Sequence, residues 1–296
     1  MSVDQAKRNP MPKKKPVTLE SVNAAEVIQL ATIYLNQGKA RKAITELSRL
    51  LRADNQNSEA YNLRGLARAM DADWHMAIAD FNQAIRYNPE NTAAYLNRGN
   101  LQLQMGDAEV AVGDFTEALR LGSPVPETVY FHRGTAYFEL GLHDSALRDF
   151  TQAIMLKPDF GEVYHARGDL RRIMLDLGGA ISDYTTATRL NPKAPVPYIR
   201  RAELLKVQRQ YAEAIADYTI VIGMEPRVPD LYIERGQLYD RIKEVAKALS
   251  DYQHYVDMGG SRTNVPVLAV NRRIFHLRLK TTFTPQHYKS RVWFTG

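Results

Sequence analysis

The chain contains no cysteine, so it can form neither a disulfide nor a thiolate metal site. No apolar run approaches the ~20 residues that a bilayer-spanning helix needs. The first stretch of the chain is basic but has no apolar segment behind it, which argues against a secretory signal. These absences favour a cytoplasmic protein without a transmembrane segment.

Signatures of catalysis and of cofactor binding are also lacking. No Gly-rich loop ends in Gly-Lys-Ser/Thr, and no His-Glu-x-x-His is present. The seven histidines are scattered without the spacing of metal ligands. We therefore expect no catalytic residues, no cofactor and no metal site, and we predict that the protein is not an enzyme.

Charge is distributed unevenly along the chain. Residues 1–23 carry a net +3, and residues 263–296 carry +6 and contain no acid, which leaves −3 for residues 24–262. We interpret 1–23 as a basic, largely disordered segment. The basic ends either solubilise the chain or dock it to nucleic acid or an anionic membrane surface.

A segment of 34 residues, 58–91, recurs along most of the chain. A fixed period of this length indicates a stacked array rather than a globular core. One position in every repeat is glycine or alanine: Ala31, Gly65, Gly99, Gly134, Gly168, Ala202 and Gly236. The period defines seven repeats, with Pro126 as one extra residue: 24–57, 58–91, 92–125, 127–160, 161–194, 195–228 and 229–262.

Each repeat has the spacing of two short helices. In the second repeat Tyr61 and Gly65 fall on one helical stripe, and Ala77 and Phe81 fall on another. Pro89 ends the second helix, because proline lacks the donor that would continue it. The small residues let the two helices approach closely, and neighbouring repeats must stack to bury their apolar faces.

The repeat resembles the tetratricopeptide repeat (TPR) family. The resemblance rests on Tyr at the fourth position, Gly at the eighth, Ala at the twentieth, Phe or Tyr at the twenty-fourth, Ala at the twenty-seventh and Pro at the thirty-second. It covers residues 24–262 and is weakest in the first and last repeats, as expected of repeats that cap an array. It implies an all-α fold, namely a right-handed superhelical solenoid of helix-turn-helix repeats with a concave groove lined by the first helices.

The family resemblance also implies where a partner would bind. In TPR proteins, positions 2, 5, 9, 12 and 13 of each repeat face the groove. Carried over to this chain, the apolar half of the groove includes Leu66, Met70, Leu96, Asn100, Leu103, Phe131, Thr135 and Phe138. The charged half begins with His165, Asp169 and Arg172 and continues with Glu203, Lys206, Gln237, Asp240 and Arg241. An apolar strip rimmed by polar groups usually marks a binding surface, although some of these side chains could instead pack between repeats.

Six repeats carry arginine at the seventh position and aspartate at the twenty-third, whereas the first repeat carries Leu30 and Glu46. This co-occurrence predicts an ion pair between a first and a second helix, because a planar guanidinium suits a bidentate, partly buried contact. The alternative is an arginine ladder that binds phosphate.

Two segments depart from the repeat. In residues 121–128, Gly122 is expected to cap a helix, and the extra residue either changes the angle between repeats three and four or is a tolerated insertion. Residues 263–296 are expected to form a basic capping helix over 264–280 and a tail. Val267, Val270, Ile274, Phe275 and Leu277 are available to cover the last repeat. The apolar cluster at 292–294 either packs on the cap, fills the groove or anchors a partner.

The sequence therefore predicts a non-enzymatic scaffold or adaptor that docks a peptide or helix of a partner protein in the groove. The alternative is a protein that docks to nucleic acid or to an anionic membrane through its basic ends, with the array as a spacer. The identity of the partner and self-association are left open.

Overall fold

The computed structural model describes residues 23–260 and 266–282, and every regular element in these ranges is an α-helix. The predictions made for residues 1–22 and for the cluster at 292–294 concern residues outside the described ranges. The chain divides into two compact units, Met1–Pro124 and Val125–Gly296, called the N-terminal body and the C-terminal body below. The division falls in the segment where the sequence repeat loses its register.

The N-terminal body is built from three helix pairs in its described part. Each helix is connected to the next by a short turn, and consecutive helices pack against each other. The helices are α1 (Ala24–Asn36), α2 (Ala40–Ala53), α3 (Ser58–Met70), α4 (Trp74–Tyr87), α5 (Thr92–Met105) and α6 (Ala108–Arg120).

The C-terminal body continues the same arrangement with four pairs and one further helix in its described part. The helices are α7 (Pro126–Glu139), α8 (His143–Leu156), α9 (Gly161–Ile173), α10 (Leu177–Leu190), α11 (Pro195–Val207), α12 (Tyr211–Met224), α13 (Pro229–Arg241), α14 (Val245–Asp257) and α15 (Val267–Thr282). Across the described residues, fifteen helices fit about seven helix-turn-helix repeats, and the predicted all-α fold class is confirmed.

The close approach within each pair depends on the eighth position of the repeat. A Cβ atom built on Gly99 would lie 2.8 Å from Cε1 of Phe115, and one on Gly168 would lie 2.7 Å from Cε1 of Tyr184. Both rings are fully buried. In the repeats that carry glycine at this position, a side chain would therefore push the second helix away from the first, as the sequence pattern predicted.

The turn inside each pair uses a left-handed residue at the fifteenth position of the repeat. In some repeats this residue is glycine, such as Gly106 with φ of 90°. In others it is not, as with Leu175, which has φ of 63° and is 81% exposed. The predicted glycine cap after α6 is also present, since Gly122 has φ of 73°.

The predicted ion pairs are confirmed in all six repeats that carry them. The arginine of each first helix pairs with the aspartate sixteen residues later, whose side chain is only 3–7% exposed. Because each guanidinium is already paired with its own carboxylate, the phosphate-ladder alternative is not supported. The pairs are Arg64–Asp80, Arg98–Asp114, Arg133–Asp149, Arg167–Asp183, Arg201–Asp217 and Arg235–Asp251.

The last helix of the described ranges, α15, packs on α14. Val270, Ile274 and Leu277 are buried in one cluster with Tyr255, so these three residues cover the last repeat as predicted. The prediction was wrong for Phe275, which is 60% exposed. Residues 270, 274 and 277 share one face of the helix, and a residue one position after 274 is rotated by about 100° from that face.

Candidate functional site

In the N-terminal body, the predicted site residues lie on α3 and α5, which pack against each other. Leu66, Leu96 and Leu103 are half-buried, whereas Met70 is 49% exposed. Leu66 also packs against the core formed by α1, α2 and α3. We call the surface formed by Leu66, Met70, Leu96, Asn100 and Leu103 the α3–α5 face.

Two asparagine side chains join the helices of the α3–α5 face by a hydrogen bond, and a third asparagine has a buried oxygen without a donor. Nδ2 of Asn97 donates to Oδ1 of Asn62 across 2.9 Å, and this bond joins the two helices. Oδ1 of Asn100 is buried and accepts no hydrogen bond from the described residues. A buried amide oxygen without a donor is costly, so Asn100 is suited to accept a backbone N–H from a bound segment.

In the C-terminal body, α7 supplies an aromatic patch. Phe131 and Phe138 are half-buried and pack against the core around Phe150. The ring of Phe131 lies 5.3 Å, between centroids, from that of Phe160. Thr135 lies between the two phenylalanines and donates from Oγ1 to the carbonyl of Phe131 at 3.0 Å. Part of each ring therefore packs against the core, and the rest is exposed to solvent.

The neighbouring helix α9 supplies charges that are centred on Asp169. Oδ1 of Asp169 accepts a hydrogen bond of 2.8 Å from the hydroxyl of Tyr184, and Oδ2 lies 3.3 Å from Nε2 of His165. Nε of Arg200 on α11 lies 3.9 Å from Oδ1. Nε of Arg172 and Nε of Arg200 are buried and donate to no described residue. We call the surface formed by α7 and α9, with Arg200, the α7–α9 face.

The ring of Tyr184 on α10 is fully buried, yet its hydroxyl contacts Asp169 of this face. Burial raises the pKa of Tyr184, and the hydrogen bond to Asp169 raises it further, so the phenol stays protonated and donates. The seventh repeat has a similar contact, in which the hydroxyl of Tyr252 lies 3.3 Å from Oδ2 of Asp240. The signal in the sequence was the change from Phe to Tyr at the twenty-fourth position, which coincides with carboxylates on the first helices.

The charged residues predicted further along the C-terminal body are largely paired. Nζ of Lys206 lies 2.6 Å from Oε2 of Glu234. Asp240 accepts two hydrogen bonds from Arg273 of α15, at 2.6 and 2.7 Å. Arg241, Asp240 and Arg273 line a cavity of about 320 Å³. The sequence did not reveal that α15 would neutralise Asp240.

Two negative findings apply to the part of the chain that the structure describes. No group of three or more His, Asp or Glu side chains is arranged to hold a metal ion there. No helix within the described ranges is long and apolar enough to cross a membrane.

Comparison with known proteins identifies the repeat. A tetratricopeptide repeat model matches residues 28–72, 96–159 and 199–262, which together make up more than half of the chain. The chain belongs to the tetratricopeptide repeat family. A second TPR repeat model matches residues 73–106. TPR folds are general protein-interaction scaffolds, and no curated protein matches the sequence.

Solved structures show the same fold. The C-terminal part of a TPR repeat-containing protein from Cytophaga hutchinsonii matches with a TM-score of 0.66 and 16% identity, covering 82% of this chain and 98% of that chain. PilW, a widely conserved type IV pilus biogenesis factor, matches with a TM-score of 0.65 and 17% identity, covering 70% of this chain and 96% of that chain. YrrB, a TPR protein with an unusual peptide-binding site, matches with a TM-score of 0.51 and 17% identity, covering 61% of this chain and 92% of that chain. At these identities the likeness shows the fold alone.

Proposed function

We propose that the protein is a non-enzymatic scaffold or adaptor that docks a peptide or helix of a partner protein on the first helices of its repeats. The observation that carries this proposal is the α7–α9 face. There, the partly exposed rings of Phe131 and Phe138 lie on a helix packed against the one that bears Asp169 and Arg172. Aromatic anchors supply most of the affinity of an interface, and fixed charges orient the partner.

The chemistry of the face suggests what the partner presents. An apolar side chain would pack against the exposed parts of Phe131 and Phe138. An acceptor, such as a carboxylate or a backbone carbonyl, would satisfy Nε of Arg172 and Nε of Arg200, which have no acceptor among the described residues. The α3–α5 face offers a second, mainly apolar surface on which Asn100 provides a hydrogen-bond acceptor.

Site-specific photo-crosslinking in a lysate of the source cell tests this proposal. A photoreactive residue replaces Phe138 of α7 in one variant and Met155 of α8 in the other. Both positions belong to the fourth repeat, and Met155 is 67% exposed on a second helix. We expect a protein adduct at 138 that is weakened by Arg172→Ala, and no such adduct at 155. Equal adducts at both positions would overturn the proposal.

The alternative, docking through the basic ends to nucleic acid or an anionic membrane, relies mainly on residues outside the described ranges. One of the described basic residues, Arg273, is already paired with Asp240. Salt dependence separates the two functions, because phosphate binding falls steeply between low and moderate salt. A cytoplasmic location stays a prediction, and self-association stays open.

A further inference from the structure

The rotation of α15 about its own axis is fixed by contacts on one side. Val270, Ile274 and Leu277 are 2–5% exposed and pack in the cluster that includes Tyr255. Arg273 adds two hydrogen bonds to Asp240 of α13. A helix held by both an apolar stripe and a bidentate ion pair cannot roll, so the orientation of its opposite side is defined.

That opposite side carries an unusual apolar stripe. Leu268 is 64% exposed and Phe275 is 60% exposed. Arg272 lies between them in the helical sequence, and Leu279, 39% exposed, follows at the end. The four residues are spaced by four, three and four positions, so they share one face and extend over about 16 Å. We call this surface the outer stripe of α15.

Comparison with the repeats shows what kind of surface this is. In α9, Val163 and Leu170 are buried, and the residue five positions after Val163 is Gly168, which meets the ring of Tyr184 on its own second helix. In α15 the corresponding buried pair is Val270 and Leu277, and the residue five positions after Val270 is Phe275. Among the described residues, the side of α15 that would receive a second helix is therefore exposed.

Phe275 also excludes a repeat-like occupant. In the repeats, a glycine lets the aromatic ring of the second helix come within contact of the first helix. A phenylalanine at that position projects outward and would collide with such a ring. The occupant must instead offer a depression or an apolar stripe that accommodates a protruding ring.

We propose that the outer stripe of α15 docks an acidic amphipathic helix of a partner protein. Arg272 lies in the stripe and forms no ion pair with any described residue, and residues 263–296 contain no acid. A carboxylate on the partner would pair with Arg272 while leucine-like side chains cover Leu268 and Phe275. Aromatic residues and arginine are the residue types concentrated at protein interfaces.

Two other occupants fit the charges less well. Insertion of the stripe into a membrane would take the guanidinium of Arg272 toward hydrocarbon together with Leu268 and Phe275, which is costly. Pairing of α15 with α15 of a second copy would bring like charges together. The stripe uses no residue of the α3–α5 face or of the α7–α9 face, so the inference is independent of the proposed function.

Two designed helical peptides test the inference on the full-length chain. Each has about 18 residues, a length of roughly 27 Å as a helix, and both share one leucine stripe. Glutamates flank the stripe in one peptide and lysines in the other. Fluorescence anisotropy measures their binding to the wild type and to Arg272→Glu, Phe275→Ala and Met155→Ala. Met155→Ala is the control, since it removes an exposed apolar side chain from α8.

We expect the acidic peptide to bind the wild type at least about tenfold more tightly than the basic one. Arg272→Glu should reverse that order, Phe275→Ala should weaken binding about tenfold or more, and Met155→Ala should change nothing. Binding that is absent, or equal in all variants, would overturn the inference.

Three other results would overturn it by identifying a different occupant. Binding to phosphatidylglycerol vesicles through Phe275, without binding of the acidic peptide, would indicate a membrane surface. Self-association that Phe275→Ala abolishes would indicate a second copy. In a Trp74→Phe background, a shift of Trp293 emission caused by Phe275→Ala would show that the chain covers the stripe with its own C-terminal residues.

Discussion

Arg98 of α5 donates two hydrogen bonds to Asp114 of α6, from Nε to Oδ2 at 2.9 Å and from Nη2 to Oδ1 at 2.6 Å. Its remaining nitrogen, Nη1, donates to Oδ1 of Asn82 on α4 at 2.6 Å. Because Asn82 belongs to the preceding repeat, one guanidinium joins both helices of its own repeat to the neighbouring repeat. The same third bond joins Arg64 to Ser48, Arg167 to Thr151, Arg201 to Thr185 and Arg235 to Thr219.

Removing one member of this pair should destabilise the N-terminal body. Asp114→Ala leaves the guanidinium of Arg98 largely buried without its carboxylate, and we expect a loss of about 3–5 kcal/mol in the free energy of unfolding. The double variant Arg98→Leu/Asp114→Ala should be more stable than Asp114→Ala alone, because leucine is the residue that the first repeat carries at this position. Urea unfolding followed by circular dichroism measures both. A single variant as stable as the wild type would show that the pair is dispensable.

Glycine at the eighth position should tolerate substitution far less well than glycine elsewhere on the same helix pair. Gly99→Ala places a methyl group 2.8 Å from the ring of Phe115, and we expect a loss of ~1–3 kcal/mol. Gly113→Ala on α6 meets nothing within 4 Å and should stabilise the helix by roughly 0.5–1 kcal/mol. The midpoint temperatures of thermal unfolding of the two variants should shift in opposite directions from that of the wild type. Equal shifts would contradict the role assigned to Gly99.

The hydroxyl of Tyr184 should contribute to stability through Asp169. Tyr184→Phe removes the hydrogen bond of 2.8 Å, and we expect a loss of about 1 kcal/mol. The matched change Phe150→Tyr puts a hydroxyl in the fourth repeat, where Thr135 stands at the position of Asp169. That variant should also be destabilised, since its hydroxyl is buried without a carboxylate acceptor. If Tyr184→Phe is neutral, Asp169 does not depend on the phenol.

His132 should make the C-terminal body sensitive to mild acid. Burial lowers the pKa of His132 below its ordinary value of 6.5, so the unfolded chain binds the proton more readily than the folded one. The stabilising contribution is therefore complete above about pH 6.5 and is lost as the pH falls through the lower pKa of the folded state. His132→Gln should reduce the loss of unfolding free energy between about pH 7 and 5. Replacing the exposed His75 with Gln is the control. If the unfolding free energy of His132→Gln falls with pH as steeply as that of the wild type, His132 is not the source of the acid sensitivity.

The sequence predicted features that repeat and missed contacts that occur once. Arg98 and Asp114 could be paired because the same two residue types recur together in six repeats. The bond between Arg273 and Asp240 occurs once and joins residues 33 positions apart, so no spacing indicated it. Asp240 was therefore predicted only as part of the charged half of the groove, although Arg273 of α15 neutralises it.

Helix rotation explains the other differences. Phe275 was counted with the residues that cover the last repeat because it is apolar and adjacent to Ile274. Burial of residues 270, 274 and 277 fixes a face that excludes it. Tyr184 shows a related limit, because the repeat pattern indicates an aromatic ring at this position but not that its buried hydroxyl donates to Asp169. Apart from Arg200, which the structure adds, the residues of the α7–α9 face came from the family resemblance, and their function is still a prediction.

The most direct test of the central proposal is affinity capture from a lysate of the source cell. Wild type is compared with Met70→Glu on the α3–α5 face, Thr135→Arg on the α7–α9 face, and the control Met155→Glu on α8. Circular dichroism checks that each variant keeps its helix content. We predict that one partner protein is captured by the wild type and by Met155→Glu, and is lost or strongly reduced with Thr135→Arg or Met70→Glu. Capture of the same proteins by all four chains would contradict docking on the first-helix faces.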